Sequence, residues 1–327
     1  MKIYESQIVS IPSDVAMKFL GKRESLSEIV DCTFSPHNKP VLMVRPGDEV
    51  KVETYDCFAN VVRPDNDLAQ VLQSGTKLFD NPVTGPIYVE GAEKGDTLII
   101  DILDIQVPDR GVTAVMPGFG ALEGWLSRSP TLTKFSAIRN GRICYRTDDG
   151  REISFSVKPF IGTIGVAPPT ESISTITPHK HGGNMDVADV SKGNRLYLPV
   201  GVSGALFAAG DVHARQGDGE ICGTAVEIPA TLTFKFDILK GKSIEWPRIE
   251  SSEEIMTIAS ARPLEDAARL AFRELIQWLT EDYKLSVYDA YMLLSLTADA
   301  RIAQIVDPLY TVVAKIKKEY LNQTKSR

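Results

Sequence analysis

The sequence predicts an α+β protein that is mainly β: a sandwich- or barrel-like body of many short strands with a C-terminal helical portion. Three observations predict it. Glycine and proline number 24 and 19 in 327 residues and fall mostly before residue 250, a density of turn residues that fits many short strands. Apolar residues alternate with polar ones over 221–238. Beyond 250 the apolar spacing changes to three and four, the period of a helix. The expected division is a β-rich body over 1–250 that carries the active-site motifs, and helices over 251–327 packed on it.

Taken in order, the apolar run from Val41 to Val44, the turn Pro46-Gly47-Asp48 and the alternation at Val50 and Val52 read as strand, turn, strand. The layout recurs from Ile87 to Ile102 around Gly95-Asp96. A third Gly-Asp pair stands at Gly210-Asp211, but the flanking residues do not align, so no internal repeat follows. Strands are expected at 151–157, 161–166 and 196–208. Over 221–238 the apolar set is Cys222, Val226, Ile228, Leu232, Phe234, Phe236 and Ile238; Pro229 divides it into two strands or one bent strand. Pro263 precedes Leu264, Ala268, Ala271, Leu275, Trp278 and Leu279, an amphipathic helix. A second helix is expected from Ser286 to Ala303, opened by Ser286 and Asp289 as a capping pair. Pro308 breaks that run, and a short basic helix is expected to end the chain.

Composition excludes several classes. Lys plus Arg is 36 against 43 Asp plus Glu, a net charge of −7, so a nucleic-acid groove is not expected; the tail basic residues Lys315, Lys317, Lys318, Lys325 and Arg327 read as a solvated helix end. The longest apolar runs are too short to cross a membrane. The opening MKIYESQIVS has no apolar stretch of the secretory kind. Cys32, Cys57, Cys144 and Cys222 are scattered, with no CxxC pair, which suits a reducing cytoplasm. No GxGxxG, Walker or GxSxG pattern is present.

The chemistry concentrates in two segments. There are four histidines, and His179, His181 and His213 fall within 35 residues of one another. One segment runs Pro178-His-Lys-His-Gly-Gly-Asn-Met-Asp186; the other runs Gly210-Asp-Val-His-Ala-Arg-Gln-Gly-Asp-Gly-Glu220. On a strand, Asp211 and His213 share a face and can hold a divalent metal or form an acid/base pair. Glu220 follows a Gly-rich turn and could re-enter the same pocket. Gly182 and Gly183 could offer backbone N–H groups to an oxyanion. Asn184 and Asp186 serve either the pocket or their own loop. Asp56, at a strand end, either reaches the site or closes a turn. His37 and His179 read as loop residues.

These residues resemble the acetamidase/formamidase family. The resembling pieces are NPVTGPIYVEGAEKGDTL at 81–98, VMPGFG at 115–120, IGTIGVAP at 161–168, HGGNMD at 181–186, LPV at 198–200 and GDVHARQGDGE at 210–220. The resemblance implies hydrolysis of short aliphatic amides, formamide or acetamide, to ammonia and the acid by a β-rich homo-oligomer, with a divalent metal, zinc or calcium, in some members. It implies pocket roles for His181, Gly182, Gly183, Asn184, Asp186, Asp211, His213, Gln216, Asp218 and Glu220.

Amide hydrolysis needs an activated nucleophile, an oxyanion stabiliser and a proton for the leaving nitrogen. From spacing, His181, Asp211 and His213 are expected to ligate a metal, zinc rather than calcium, with Asp56 as a fourth ligand. Glu220 is expected to move the proton, assisted by Asn184 and the Gly182 and Gly183 N–H groups, with Asp186, Gln216 and Asp218 contacting substrate. The alternatives are a nucleophilic Cys57 or Cys222, a hydrolase of another small amide or a lactam, and an amide- or metal-binding protein without turnover.

Overall fold

Alternation along Ala230–Leu239 turns Leu232, Phe234 and Phe236 to one side, where all three are fully buried. This strand pairs with Glu49–Thr54 on one edge and Thr97–Gln106 on the other. The sheet continues through Arg195–Pro199, Arg248–Glu250, Glu254–Ala261, Tyr310–Lys317 and Asp299–Gln304, eight antiparallel strands in all. The computed structural model describes residues 30–75, 81–126 and 130–322. The N-terminal decapeptide read above, and Lys325 and Arg327, lie outside the described residues.

A second sheet of eleven strands faces the first. Its central strand, Phe207–His213, is buried along its whole length. One edge of that strand pairs with Phe160–Gly165. The other pairs with Val83–Val89 and, at Val212 and His213, with Glu227–Ile228. The Phe207 ring meets those of Phe234 and Phe236 across the gap, with centroids 5.2 and 5.0 Å away. These contacts make the body a β-sandwich. Full burial of each such side chain contributes about 1.5–3 kcal/mol.

The strand–turn–strand readings near 41–54 and 87–102 correspond to Leu42–Val44 with Glu49–Thr54, and to Val83–Val89 with Thr97–Gln106. The helix expected after Pro263 is Leu264–Tyr283. It packs on the outer face of the eight-stranded sheet, burying Ala271, Leu275 and Leu279 with Ile255 and Ala259, while Met256 and Ile258 of the same strand point into the sandwich.

The C-terminal portion differs from the expectation of helices alone. The second helix ends at Thr297, and Asp299–Gln304 and Tyr310–Lys317 are strands. The terminal helix is confined to Lys318–Asn322. Strand Tyr310–Lys317 pairs with all eight residues of Glu254–Ala261, so the eight-stranded sheet runs across residue 250. Apolar period alone does not separate a buried strand from a helix in runs this short. The turn between the last two strands, 305–309, lies against the loop that follows Phe207–His213: the Ile305 N–H donates to the Gly219 carbonyl at 3.1 Å.

Candidate active site

His213 closes the central strand, directly opposite Phe160 on one neighbour and Glu227 on the other. Facing residues of antiparallel strands share a side of the sheet. The Phe160 ring accordingly meets the imidazole edge-on at 5.0 Å. Nε2 of His213 lies 3.1 Å from Glu227 Oε2 and 3.2 Å from Asp211 Oδ1. Its other nitrogen, Nδ1, is 2.8 Å from Gln216 Oε1.

Gln216 decides the protonation of that ring. Its Nε2 donates to the backbone carbonyls of Ala303 at 3.0 Å and Asp186 at 3.3 Å, so its oxygen must face His213. A carbonyl oxygen only accepts, and Nδ1 therefore carries a proton. Nε2 is left to present either a second proton or a lone pair to two carboxylates.

Asp186, Glu220 and Asp307 complete the cluster. The structure brings donor atoms of Asp186, His213 and Glu220 within 4.8 Å of one another, and likewise those of Cys57, Asp211 and Glu227. Asp211 Oδ2 accepts from Asn81 Nδ2 at 3.1 Å and is 3.2 Å from the Thr163 hydroxyl. Thr163 Oγ1 also meets Asn184 Oδ1 at 2.5 Å, and Asn184 Nδ2 donates to Asp307 at 2.9 Å. Asp307 is presented by its turn, in which Gln304 Oε1 accepts the N–H groups of Val306 and Asp307. The Asp186 carboxylate receives no N–H group; its side-chain hydrogen-bonding neighbour is the carboxyl of Asp307.

The electrostatics of this cluster are one-sided. Asp186, Asp211, Glu220, Glu227 and Asp307 are all buried, and among the described residues no lysine or arginine is paired with any of them. Burial, then the charge of Asp211, pushes Asp186 up to about 8. Burial and the Asp186 charge hold Glu220 and Asp307 well above the usual carboxylate range. Burial alone would lower the His213 pKa, but the carboxylates of Glu227 and Asp211 outweigh it and raise it well above the ordinary histidine value. Asp186, Asp211 and Glu220 also adopt left-handed backbone, with φ of 52°, 52° and 46°. Non-glycine residues rarely do so, and such strain clusters at functional sites.

Beside the cluster lies a cavity of 300 Å³, lined on its polar side by Asn184, Asp211, Glu220, Glu227 and Asp307. The sequence profile of the acetamidase/formamidase family matches residues 24–174 and again 169–319. The chain belongs to this family. A formamidase of Methylophilus methylotrophus is 29 % identical over 253 residues, 61 % of this chain and 61 % of that one; the chain thus spans about three fifths of that relative's length. Among solved structures, an acetamidase from Yersinia enterocolitica is 40 % identical with TM-score 0.83, covering 91 % of both chains. An acetamidase from Bacillus halodurans is 38 % identical with TM-score 0.83, covering 90 % of this chain and 97 % of that one.

In this family member the two sequence segments converge only in part. Asn184, Asp186, Asp211, His213, Gln216 and Glu220 come together. His181 does not: its ring packs edge-on against Phe34 at 5.0 Å and neither nitrogen has a partner. It borders a separate cavity with His179 and Lys180, and burial pushes its pKa down to about 3. The reason is local: His179 and Gly182 exchange backbone hydrogen bonds in a tight turn, so no strand runs through His179 and His181. Gly182 and Gly183 are held in the strand pair with Gly165 and Ile164. A Cβ at Gly182 would stand 2.3 Å from the Ile164 carbonyl, and one at Gly183 2.4 Å from that of Thr177. These glycines permit close backbone packing rather than offering N–H groups to the cavity.

Asp56 closes a turn: its Oδ1 accepts the N–H groups of Phe58 and Asn60 at 3.0 and 2.7 Å. Asp218 is on the surface, paired with Arg301. His37 donates its own N–H to Ser35 Oγ in a loop. Cys57 borders the cluster, but burial and then the charges of Glu227 and Asp211 push its thiol well above the usual range, which suppresses the thiolate a nucleophile requires. Cys222 Sγ faces the Thr224 carbonyl at 3.2 Å.

The donor set fits a small divalent ion. Oxygen and nitrogen ligands about 2.0–2.1 Å from a tetrahedral zinc stand about 3.3 Å from each other, close to the spacings of Nε2 from Glu227 and Asp211. An ion would also offset part of the buried negative charge. The residues that sequence reasoning missed are Glu227, Asp307, Thr163 and Asn81. One signal existed for the first: Glu227 is a charged residue between Val226 and Ile228 in an apolar strand.

Proposed function

We propose that this chain hydrolyses amides of small carboxylic acids, formamide and acetamide among them, to ammonia and the acid, with water activated at a divalent ion. One observation carries the reading: a buried imidazole nitrogen between two carboxylates, beside a small cavity, in a chain whose relatives are named formamidase and acetamidase. Asp211, His213 and Glu227 would hold the ion. The imidazole nitrogen favours zinc, since calcium takes six to eight oxygens. Bound there, the ion would polarise the amide carbonyl and acidify water.

The chain's own residues supply the rest. Gln216 fixes the His213 tautomer, as outer partners of metal-ligating histidines do. Asn184, held by Thr163 and Asp307, orients the cavity wall. Burial gives Glu220 a higher proton affinity than an ordinary carboxylate, which favours it as the group that carries the proton. It takes the proton of the attacking water and returns it to nitrogen as the C–N bond breaks and ammonia leaves.

Two observations support the broader context. The helix Val287–Thr297 leaves Tyr288, Tyr291 and Leu296 largely exposed, which favours a homo-oligomer. The cysteines are free, which favours a reducing, cytoplasmic setting.

The test is ammonia release from formamide, acetamide and propionamide, before and after exhaustive chelation with metal removal verified by elemental analysis. Ammonia that disappears on chelation and returns with zinc is expected. Undiminished turnover without metal would remove the ion from the mechanism. Saturable amide binding with no ammonia would favour a binding protein. Gln216→Leu is expected to weaken zinc binding about 10–100-fold, while Gln216→Glu, which keeps an acceptor for Nδ1, is expected to stay nearer wild type. A competition titration against a chromogenic chelator measures both.

A further inference from the structure

We infer that the preferred substrates are amides with a bulky, uncharged, apolar acyl group, of the size of butyramide or benzamide, rather than formamide. The inference rests on the hydrolase reading above and concerns the half of the cavity that reading leaves unused.

The cavity is too large for the smallest amides. At about 30 Å³ per water-sized group, 300 Å³ holds about ten non-hydrogen atoms. Formamide has three, acetamide four, butyramide six and benzamide nine. Water must fill whatever the substrate leaves empty, and a site with an apolar wall hydrates poorly.

Much of the rest of the lining is apolar. This wall comprises Phe58, Met116, Phe119 and Ile176. Phe58 is 4 % exposed and belongs to a hydrophobic cluster with Val62, Leu68 and Val112, against which Met116 packs. The Phe119 ring is seated on Gly223, where a Cβ would stand 2.3 Å from it. An amide must put its carbonyl and nitrogen against the polar side to react, so its acyl group is directed onto this wall. Among the described residues no lysine or arginine lines the cavity, so an anionic tail would be buried there without a partner. The acyl group is therefore both apolar and neutral.

Each methylene buried against the wall stabilises bound substrate and transition state alike, so kcat/KM should rise about fourfold per carbon. The experiment measures ammonia release from formamide, acetamide, propionamide, butyramide, benzamide and succinamate. From acetamide to butyramide kcat/KM is expected to climb at that rate. The KM for benzamide is expected at least tenfold below that for acetamide, and kcat/KM for succinamate at least tenfold below that for butyramide. In Met116→Trp, which fills the apolar half, the ratio of butyramide to acetamide turnover is expected to fall at least tenfold. A series that is flat or falls from acetamide to butyramide in the wild-type enzyme overturns the inference and leaves the amidase reading standing. Ammonia from none of the amides overturns both. The wild-type series decides the matter even if the variant does not fold.

Discussion

His213→Ala is expected to lower kcat/KM for acetamide by a factor of about 10³ or more, whereas His181→Phe is expected to leave it within about threefold. The two histidines stand in two Gly-rich, acidic motifs, yet their surroundings are opposite. His213 has one nitrogen fixed by Gln216 and the other between Asp211 and Glu227. Removing the ring takes away the one basic group in a buried cluster of carboxylates, and with it a ligand of the inferred ion. His181 has two unbonded nitrogens and an aromatic neighbour. Phenylalanine removes two buried polar atoms that hydrogen-bond to nothing, and leaving such atoms unsatisfied costs about 1–3 kcal/mol each. The melting temperature of His181→Phe is therefore expected to equal or exceed that of the wild type. Steady-state ammonia release with a thermal melt on each variant checks both. Equal losses of activity at the two positions, with both variants folded, would return His181 to the site.

The difference between those histidines marks where sequence reading stops. Local pattern carried the fold class, because alternation at Leu232, Phe234 and Phe236 and the helical spacing after Pro263 are properties of neighbouring residues. It carried Asp211, His213, Gln216 and Glu220 for the same reason: they belong to one strand and the loop that leaves it. His179 and His181, two residues apart, would share a face only on a strand, and His179 to Gly182 is a hydrogen-bonded turn. Asp56 offered two readings, and the N–H groups of Phe58 and Asn60 take its carboxylate for the turn. Glu227 and Asp307 reach the site through strand pairing with His213 and through the turn after Gln304. Both contacts join residues far apart in the chain, and no spacing rule within one segment reports them. The C-terminal strands were hidden by the same limit, since Ile302 and Val313 take their meaning from the strands beside them.

Gly162→Ala is expected to abolish at least 99 % of the activity in a protein that still folds, an effect of about 10²-fold or more for displacements near 1 Å in a catalytic arrangement. Gly162 lies in strand Phe160–Gly165, and nothing in its sequence context separates it from a turn glycine. Its carbonyl accepts the N–H groups of Met185 and Asp186 at 3.1 and 3.2 Å, which draws the Asp186 segment against it. A Cβ there would stand 2.6 Å from Asp186 Oδ1, 2.8 Å from Asp211 Oδ2 and 2.8 Å from the Asp211 carbonyl. The Asp211 carboxylate cannot swing aside freely, because Asn81 holds it and His213 faces it. One methyl group therefore pushes on both carboxylates at once, on either side of the imidazole. Overpacking of this kind costs about 1–3 kcal/mol, a loss the large sandwich core should tolerate. Gly217→Ala is the control: a Cβ there meets nothing within 4 Å, so stability within about 0.5 kcal/mol of wild type is expected. Ammonia release and thermal melts on the two variants separate the cases. Full activity in Gly162→Ala would mean that Asp186 and Asp211 can move apart without consequence, and the cluster would then be a structural charge network rather than the place where water is activated. Loss of activity with the fold intact would mean that the missing side chain at 162 is part of the site, as the space two carboxylates need to face one imidazole.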